Sequence, residues 1–291
     1  MAALLLSGAL PTVAVTACGT SDEPEPENAA ARMKQILGRA PKGAAAAIAE
    51  RGELLIAVTP DYPPLSYYND DGELTGFDVA VGTAVAEYLQ LAPRFTEPVW
   101  EAVPAGLAND RFDVSIGSLS PDQGLVGPIA YTGPYYYTEG RLLVRAGAPQ
   151  LKGPEALAGK RVGAGVHTVF YRWLQEQEDV EVVAYPSDAE ALSGLEAGRV
   201  DAILLSSLAA RQATEAGRDV ERSGPPLFAE PQSFVVSKDE KDLLRVMDAA
   251  IAALREDGVL SELSQQWFDG QDLSRSRAAV SASASPAGES P

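Results

Sequence analysis

Leu54-Leu55-Ile56-Ala57-Val58-Thr59-Pro60-Asp61-Tyr62-Pro63-Pro64-Leu65 is a short apolar run that stops at a proline-rich segment. An uninterrupted apolar run closed by Thr-Pro predicts a buried strand entering a loop. Asn69-Asp70-Asp71-Gly72 follows as a strong turn signal. Phe77, Val81, Val85 and Leu89 then recur every fourth residue, the apolar stripe of a helix. Strand, loop and helix make one α/β unit, and similar units follow along the chain.

Phe112-Asp113-Val114-Ser115-Ile116 is a further strand candidate, and Leu142-Leu143-Val144 precedes a loop at Gly147-Ala148-Pro149. A second round opens with the strand Arg161–Gly165, a helix over about 168–177 and a strand over 180–184. Ser187-Asp188-Ala189-Glu190 is a capping box ahead of a helix carrying Leu192 and Leu195, with Gly198 at its C-cap. Val200–Leu205 is the next strand. A second capping box, Ser237-Lys238-Asp239-Glu240, opens a long helix with Leu243, Leu244, Met247, Ile251 and Leu254, stopped by Gly258. Repeated strand–helix units imply parallel sheets covered by helices on both faces. The break near 144–150 divides the body in two, and Ser233-Phe234-Val235-Val236 is placed to carry the chain back to the first unit. Two lobes joined by two crossing strands form a hinged clamp, and its ligand belongs at the carboxyl ends of the strands.

The flanks carry a different message. Met1 to Ala17 contains no charged side chain and ends Val15-Thr16-Ala17-Cys18. A short apolar stretch closed by small residues predicts a secretory signal, too short for a bilayer span. Small residues before the only cysteine predict a lipoprotein-processing site, with the lipid on the Cys18 thiol. Residues 1–17 are thus expected as signal peptide and 18–48 as a partly disordered lipid-anchor linker. Residues 49–143 with 236–270 are expected as the first lobe and 144–235 as the second. Residues 271–291, rich in Ser, Ala and Pro, are expected as a disordered tail.

With 291 residues the body is long enough for a sizeable core, and no apolar run is long enough for a transmembrane helix. The formal net charge of -18 argues against a nucleic-acid partner. One cysteine excludes an intrachain disulfide, and one histidine, His167, excludes a histidine-cluster metal site.

Asp61-Tyr62-Pro63-Pro64-Leu65 with Gly76-Phe77-Asp78-Val79 resembles the start of the family 3 extracellular solute-binding proteins, the binding components of ABC importers for polar amino acids. Trp100-Glu101 with Leu107, Phe112-Asp113-Val114 and Gly133-Pro134-Tyr135-Tyr136 continue the resemblance. So do Gly198-Arg199-Val200-Asp201-Ala202 and Asp257-Gly258 before Trp267-Phe268. These segments fall in the family's order over roughly residues 49–269. The resemblance implies a two-lobed α/β, type II periplasmic-binding-protein fold, with two open sheets joined by a two-strand hinge. It implies a binding protein that hands a small solute to an ABC permease, with no cofactor and no chemistry; with the lipid expected on Cys18, a monomer anchored on the outer face of the cell membrane is expected.

In that family an aromatic residue near the first loop stacks on the ligand, and Tyr62 fits that place. A Thr-x-Thr-Pro-x-Arg segment binds the α-carboxylate; here it reads Ser118-Leu119-Ser120-Pro121-Asp122-Gln123, with Gln123 where arginine is expected. An aspartate after the Val-Asp-Ala strand takes the α-ammonium; here that position is Ser206. Losing both charges points to a ligand that is not gripped as an ordinary α-amino acid, since neutral hydrogen bonds are weaker than charge-assisted ones. Arg141, Arg172 or Arg211 are alternative carboxylate partners. Trp100 and Tyr135 are expected to flank the ligand with Tyr62, by stacking or cation–π attraction, with Tyr67 or Tyr68 as helpers. His167-Thr168 is expected at a helix N-terminus that receives an anion. Two other readings remain open: an extracellular sensor of the same fold, and a dehydratase acting on cyclohexadienyl substrates, for which His167 and Asp122 are the available acids.

Overall fold

The computed structural model describes residues 28–60, 62–120, 127–166 and 168–275. The chain opens with helices α1 (Ala29–Leu37) and α2 (Ala44–Arg51), then strand β1 (Glu53–Ala57) and the short hairpin β2 (Tyr67–Tyr68) and β3 (Leu74–Thr75). Helix α3 (Phe77–Tyr88), strand β4 (Ala92–Thr96), helix α4 (Val103–Ala108) and strand β5 (Val114–Leu119) complete this part. The long strand β6 (Ile129–Arg145) crosses to the second lobe. That lobe holds β7 (Arg161–Gly165), α5 (Val169–Gln175), β8 (Glu181–Tyr185), α6 (Asp188–Glu196), β9 (Ala202–Ser206) and α7 (Ser207–Glu215). The long strand β10 (Val220–Ser237) returns, and α8 (Lys241–Glu256) and α9 (Val259–Trp267) close the first lobe.

The two sheets share the crossing strands, giving the order β4-β1-β5-β10-β6-β9-β7-β8. On the first lobe β1 pairs in parallel with β4 and β5, and on the second β7 pairs in parallel with β8 and β9. The crossing strands pair antiparallel with each other along most of their length. Ser233 to Val236 of β10 pair with β5, whereas Gly140 to Leu143 of β6 pair with β9. Two segments therefore swap neighbours midway, which is the geometry of a hinge. Leu142 and Leu143 already belong to the second lobe by pairing, slightly ahead of residue 144 where the sequence places the break.

Each lobe has its own core, split by its sheet. In the first, Leu54 and Ile56 of β1, Phe77, Val81 and Val85 of α3, and Val246, Met247 and Ile251 of α8 share one face. Val103, Leu107 and Phe112 cover Ala57 and Val235 on the other. In the second, Leu142, Val162, Phe170 and Leu174 lie on one face, and Leu143, Leu192, Leu195 and Ile203 on the other. The every-fourth-residue stripe of Phe77, Val81, Val85 and Leu89 is fully buried, as its spacing requires.

Three sequence expectations need correction here. Residues 29–48 are not linker: α1 buries Ala29, Met33 and Leu37 in the first-lobe core, and α2 buries Ala45 and Ile48. The Arg39 guanidinium forks onto Asp242 of α8 at 2.6 and 2.7 Å, and Glu240 accepts from the Ala44 amide at 2.8 Å, capping α2. The second capping box does not form, because Ser237 ends β10 and α8 starts only at Lys241. The tail does not begin at 271, since Leu273 and Ser274 are buried and Ser264 Oγ accepts from the Leu273 amide at 2.7 Å.

Candidate functional site

The carboxyl ends of β1, β7, β8 and β9 open onto one cavity of about 630 Å³, walled by both lobes and floored by the crossing strands. Its aromatic side is built from Tyr62, Trp100, Tyr136, Phe170 and Phe268, and its polar side from Thr138, Thr168, Arg172, Asp188, Ser206, Glu230 and Gln232.

Tyr62 is held by a tight loop. Its amide donates to the Ser66 carbonyl at 2.9 Å, and its own carbonyl accepts from the Leu65 and Ser66 amides at 2.8 and 3.2 Å. The first turn of α3 locks this loop from below, with the Phe77 and Asp78 amides donating to the Pro64 and Leu65 carbonyls, both at 2.9 Å. Only glycine fits ahead of that helix: Gly76 has φ +125, and a Cβ there would stand 2.2 Å from the Leu65 oxygen. Tyr62 itself stays 64 % exposed, presenting its ring to the cavity. Loss of bulk water within the cleft, and then the Asp188 carboxylate of the opposite lobe, push its phenol upward.

Three helices of the second lobe begin at the cavity, each with a hydroxyl cap. Thr168 Oγ1 accepts from the Tyr171 amide at 3.1 Å and donates to the Gly165 carbonyl at 2.7 Å. Ser187 Oγ accepts from the Glu190 amide at 3.3 Å, so this capping box forms as read from the sequence. Ser206 Oγ accepts from the Ala209 amide at 3.0 Å. The remaining N–H groups at these termini favour negative charge. Asp188, first in α6, lies at the same mouth, and burial pushes its carboxyl up. Gly165 leaves room for it: a Cβ there would sit 3.1 Å from Asp188 Oδ1.

Of the sequence candidates, Tyr62, Trp100, Thr168 and Ser206 come together on the cavity wall. Tyr135 does not. It is fully buried in the first-lobe core, stacked on Phe77 with ring centroids 5.8 Å apart, and its hydroxyl donates to Asp78 Oδ1 at 2.6 Å. Its aromatic neighbour Tyr136 takes the cavity position instead, because adjacent strand residues face opposite ways. Ser120 is buried just past β5, outside the lining. Ser118 belongs to β5. Gln123 and His167 lie outside the described residues, as do Asp61, Asp122 and Cys18.

Among the alternative arginines, Arg172 lines the cavity. Arg141 donates to the Gly224 carbonyl and pairs with Glu139 along the hinge. Arg211 donates to the carbonyls of Phe268 and Asp269 at 2.8 and 2.7 Å, linking α7 to the first lobe. Tyr67 packs edge-on to Trp267, and Tyr68 donates to Glu97, both away from the cavity. The sequence offered Arg172 only as an alternative carboxylate partner, and gave no sign of Asp188, Glu230 and Gln232 as wall residues. Among the described residues no group of His, Cys, Asp or Glu side chains is arranged to hold a metal ion.

Residues 54–270 match the family described as bacterial extracellular solute-binding proteins, family 3. The L-cystine-binding protein TcyJ of Escherichia coli K12 is 32% identical over 231 residues, covering 78% of this chain and 86% of its own. The L-arginine-binding protein of Pseudomonas aeruginosa is 30% identical over 225 residues, covering 73% and 86%. The L-cystine solute receptor of Neisseria gonorrhoeae, in an unliganded open conformation, superposes with a TM-score of 0.68 at 26% identity, covering 81% of this chain and 100% of that one.

Proposed function

Because the chain belongs to the family 3 bacterial extracellular solute-binding proteins, we propose that it captures an amino acid or amino-acid-like solute between its lobes and delivers it to an ABC permease. The observation that carries this reading is one cavity, at the strands' carboxyl ends, lined by Tyr62 and Trp100 from one lobe and Thr168, Asp188 and Ser206 from the other. A ligand touching both walls stabilises the closed clamp, so binding energy and closure are one event. Tyr62 stacks on the ligand, and Arg172 with the helix N-termini receives its anionic end in place of the arginine that Gln123 replaces. Ser206 offers a neutral hydroxyl where the family carries an aspartate. Relatives named for cystine and arginine make those two amino acids the first candidates. The role is binding without chemistry, carried out as a monomer. Cys18 carries a lipid after signal removal and keeps the protein at the outer membrane face, beside its permease.

A thermal-shift screen of L-cystine, L-arginine, L-histidine, betaines, polyamines and small sugars tests the reading. A ligand at a hundred times its Kd adds about 2.7 kcal/mol to the folded state, which raises Tm by several degrees. At least one amino acid of the panel is expected to do so. A flat response to every amino acid, with a response to a sugar, polyamine or betaine, would move the substrate class, and no response at all would remove the solute-binding reading.

A further inference from the structure

Among the described residues the charged side chains on the cavity wall are Arg172, Asp188 and Glu230. Arg172 and Glu230 already have partners. Asp188 has none: no group among the described residues donates to its carboxylate, and burial pushes its pKa up with no cation to oppose the shift. The neighbouring hydroxyls are spent. Thr168 Oγ1 donates to the Gly165 carbonyl at 2.7 Å, and Ser187 Oγ donates to Glu190 Oε2 at 3.5 Å. Nor does its place in the first turn of α6 explain where Asp188 points. Any acid in that turn gains from the helix dipole, and Glu190 of the same turn does so while exposed to solvent. Asp188 stands on the cavity wall instead, where losing water costs a carboxylate dearly unless a cation meets it. Across the cleft is the Tyr62 ring of the first lobe, near enough for the Asp188 charge to push its phenol up. An aromatic face on one lobe and an unpartnered carboxylate on the other make a slot for a cation, drawn by the π face and by the opposite charge. An anion there would be repelled, and an apolar group would leave the carboxylate unpaired once closure expels water.

We propose that Asp188 is the acidic anchor of the cavity and holds a cationic nitrogen of the solute, an ammonium or guanidinium, against the Tyr62 ring. This rests on the solute-binding reading above and names the ligand chemistry of its cavity. Each half of the slot comes from a different lobe, so the cation is gripped on both sides only when the clamp shuts. Positive charge on the solute therefore favours closure. A solute of the same shape without it leaves Asp188 unpaired in the closed clamp.

Calorimetric titration of wild type, Asp188→Asn and Glu190→Gln with L-arginine, L-cystine and L-histidine tests the anchor. For whichever binds wild type, Asp188→Asn is expected to weaken binding about 10- to 100-fold, the range for losing a charged hydrogen-bond partner. Glu190→Gln removes a charge from the same helix turn outside the cavity and is expected to leave affinity unchanged. Analogues of that ligand, each lacking one cationic nitrogen, are titrated against both wild type and Asp188→Asn. One analogue should bind wild type as weakly as its parent binds Asp188→Asn, and lose little further affinity in the variant, the signature of a direct pair. If Asp188→Asn fails to fold, Asp188→Ser carries the same cycle. Wild-type affinity in Asp188→Asn, an equal loss in Glu190→Gln, or an undiminished effect of the variant on every analogue overturns the anchor. Wild type that binds none of the three amino acids overturns the amino-acid reading instead.

Discussion

Asp78 is a carboxyl group 1% exposed beneath the Tyr62 loop. Burial pushes its pKa up to about 7, against the opposing hydrogen bonds from Tyr135 and Ser66. The folded chain therefore holds this proton more tightly than the unfolded chain does. Its contribution to stability is full below about pH 4 and is lost as pH rises through about 7. A shift of that size is worth roughly 4 kcal/mol. Asp78→Asn, which keeps the acceptor for Tyr135, should gain stability relative to wild type between pH 4.5 and pH 7.5. Urea unfolding at the two pH values reads this directly, and a difference that does not change with pH would contradict it. Tyr62 is the opposite case. Its ring is largely exposed and makes little of the core, so Tyr62→Ala should change unfolding free energy by less than about 0.5 kcal/mol. The same substitution should weaken solute binding at least about tenfold by removing a stacked face. Equal affinity in calorimetry would take Tyr62 out of the site.

At the scale of elements, α1 and α2 are part of the first lobe rather than a leash in front of it. Met33 is fully buried between them and α8, so Met33→Ala should cost about 2–5 kcal/mol, as large-to-small core changes do. A linker residue would cost nothing, and the midpoint of a denaturant curve separates the two. The stripe Ala29, Met33, Leu37 was visible in the sequence but stands directly behind an acidic, proline-rich stretch that argues for solvation. The short parallel strands were legible because buried strands are apolar throughout, and Arg161–Gly165 was read to the residue. The crossing strands were legible only in their apolar pieces, Leu142–Val144 and Ser233–Val236. The rest of β6 and β10 contains Gly133-Pro134, Gly224-Pro225-Pro226 and Pro231, residues that ordinarily argue against strand. They are accommodated because the ladder shifts register between Ser223 and Phe228 and again near Ser233. The unread stretch of β10 is also where Glu230 and Gln232 sit. A polar pair at alternate positions becomes a signal only once the segment is known to be a strand, so half of the cavity floor stayed hidden. Tyr62, Trp100, Thr168 and Ser206 were placed on the site through the family resemblance, by position relative to the motifs that carry it.

At the scale of the whole molecule, α7 of the second lobe touches the first lobe beside the crossing strands, with Leu208 packed against the first-lobe core. Arg211 of α7 adds a polar link, donating to the carbonyls of Phe268 and Asp269 just past α9. Arg211→Ala removes that link while leaving the cavity wall intact, so it should broaden the distribution of inter-lobe distances in the unliganded protein. Spin labels on surface sites of α3 and α6 would report it, and an unchanged distribution would show that the Arg211 link does not set the angle. The proposed lipid on Cys18 adds a constraint on orientation. The chain from Cys18 to the start of α1 reaches at most about 40 Å when fully extended. Because α1 is packed into the first lobe, the tether would hold that lobe near the membrane and leave the second free to swing.

The central claim is that the two lobes close on one small amino-acid-like solute. Titration calorimetry of the intact protein with L-cystine and L-arginine tests it most directly. The account predicts saturable binding of at least one of them, at one molecule per chain, with the negative heat-capacity change that burying the aromatic wall requires. No binding heat from either across a range of temperatures, together with no change in Tm, would contradict it.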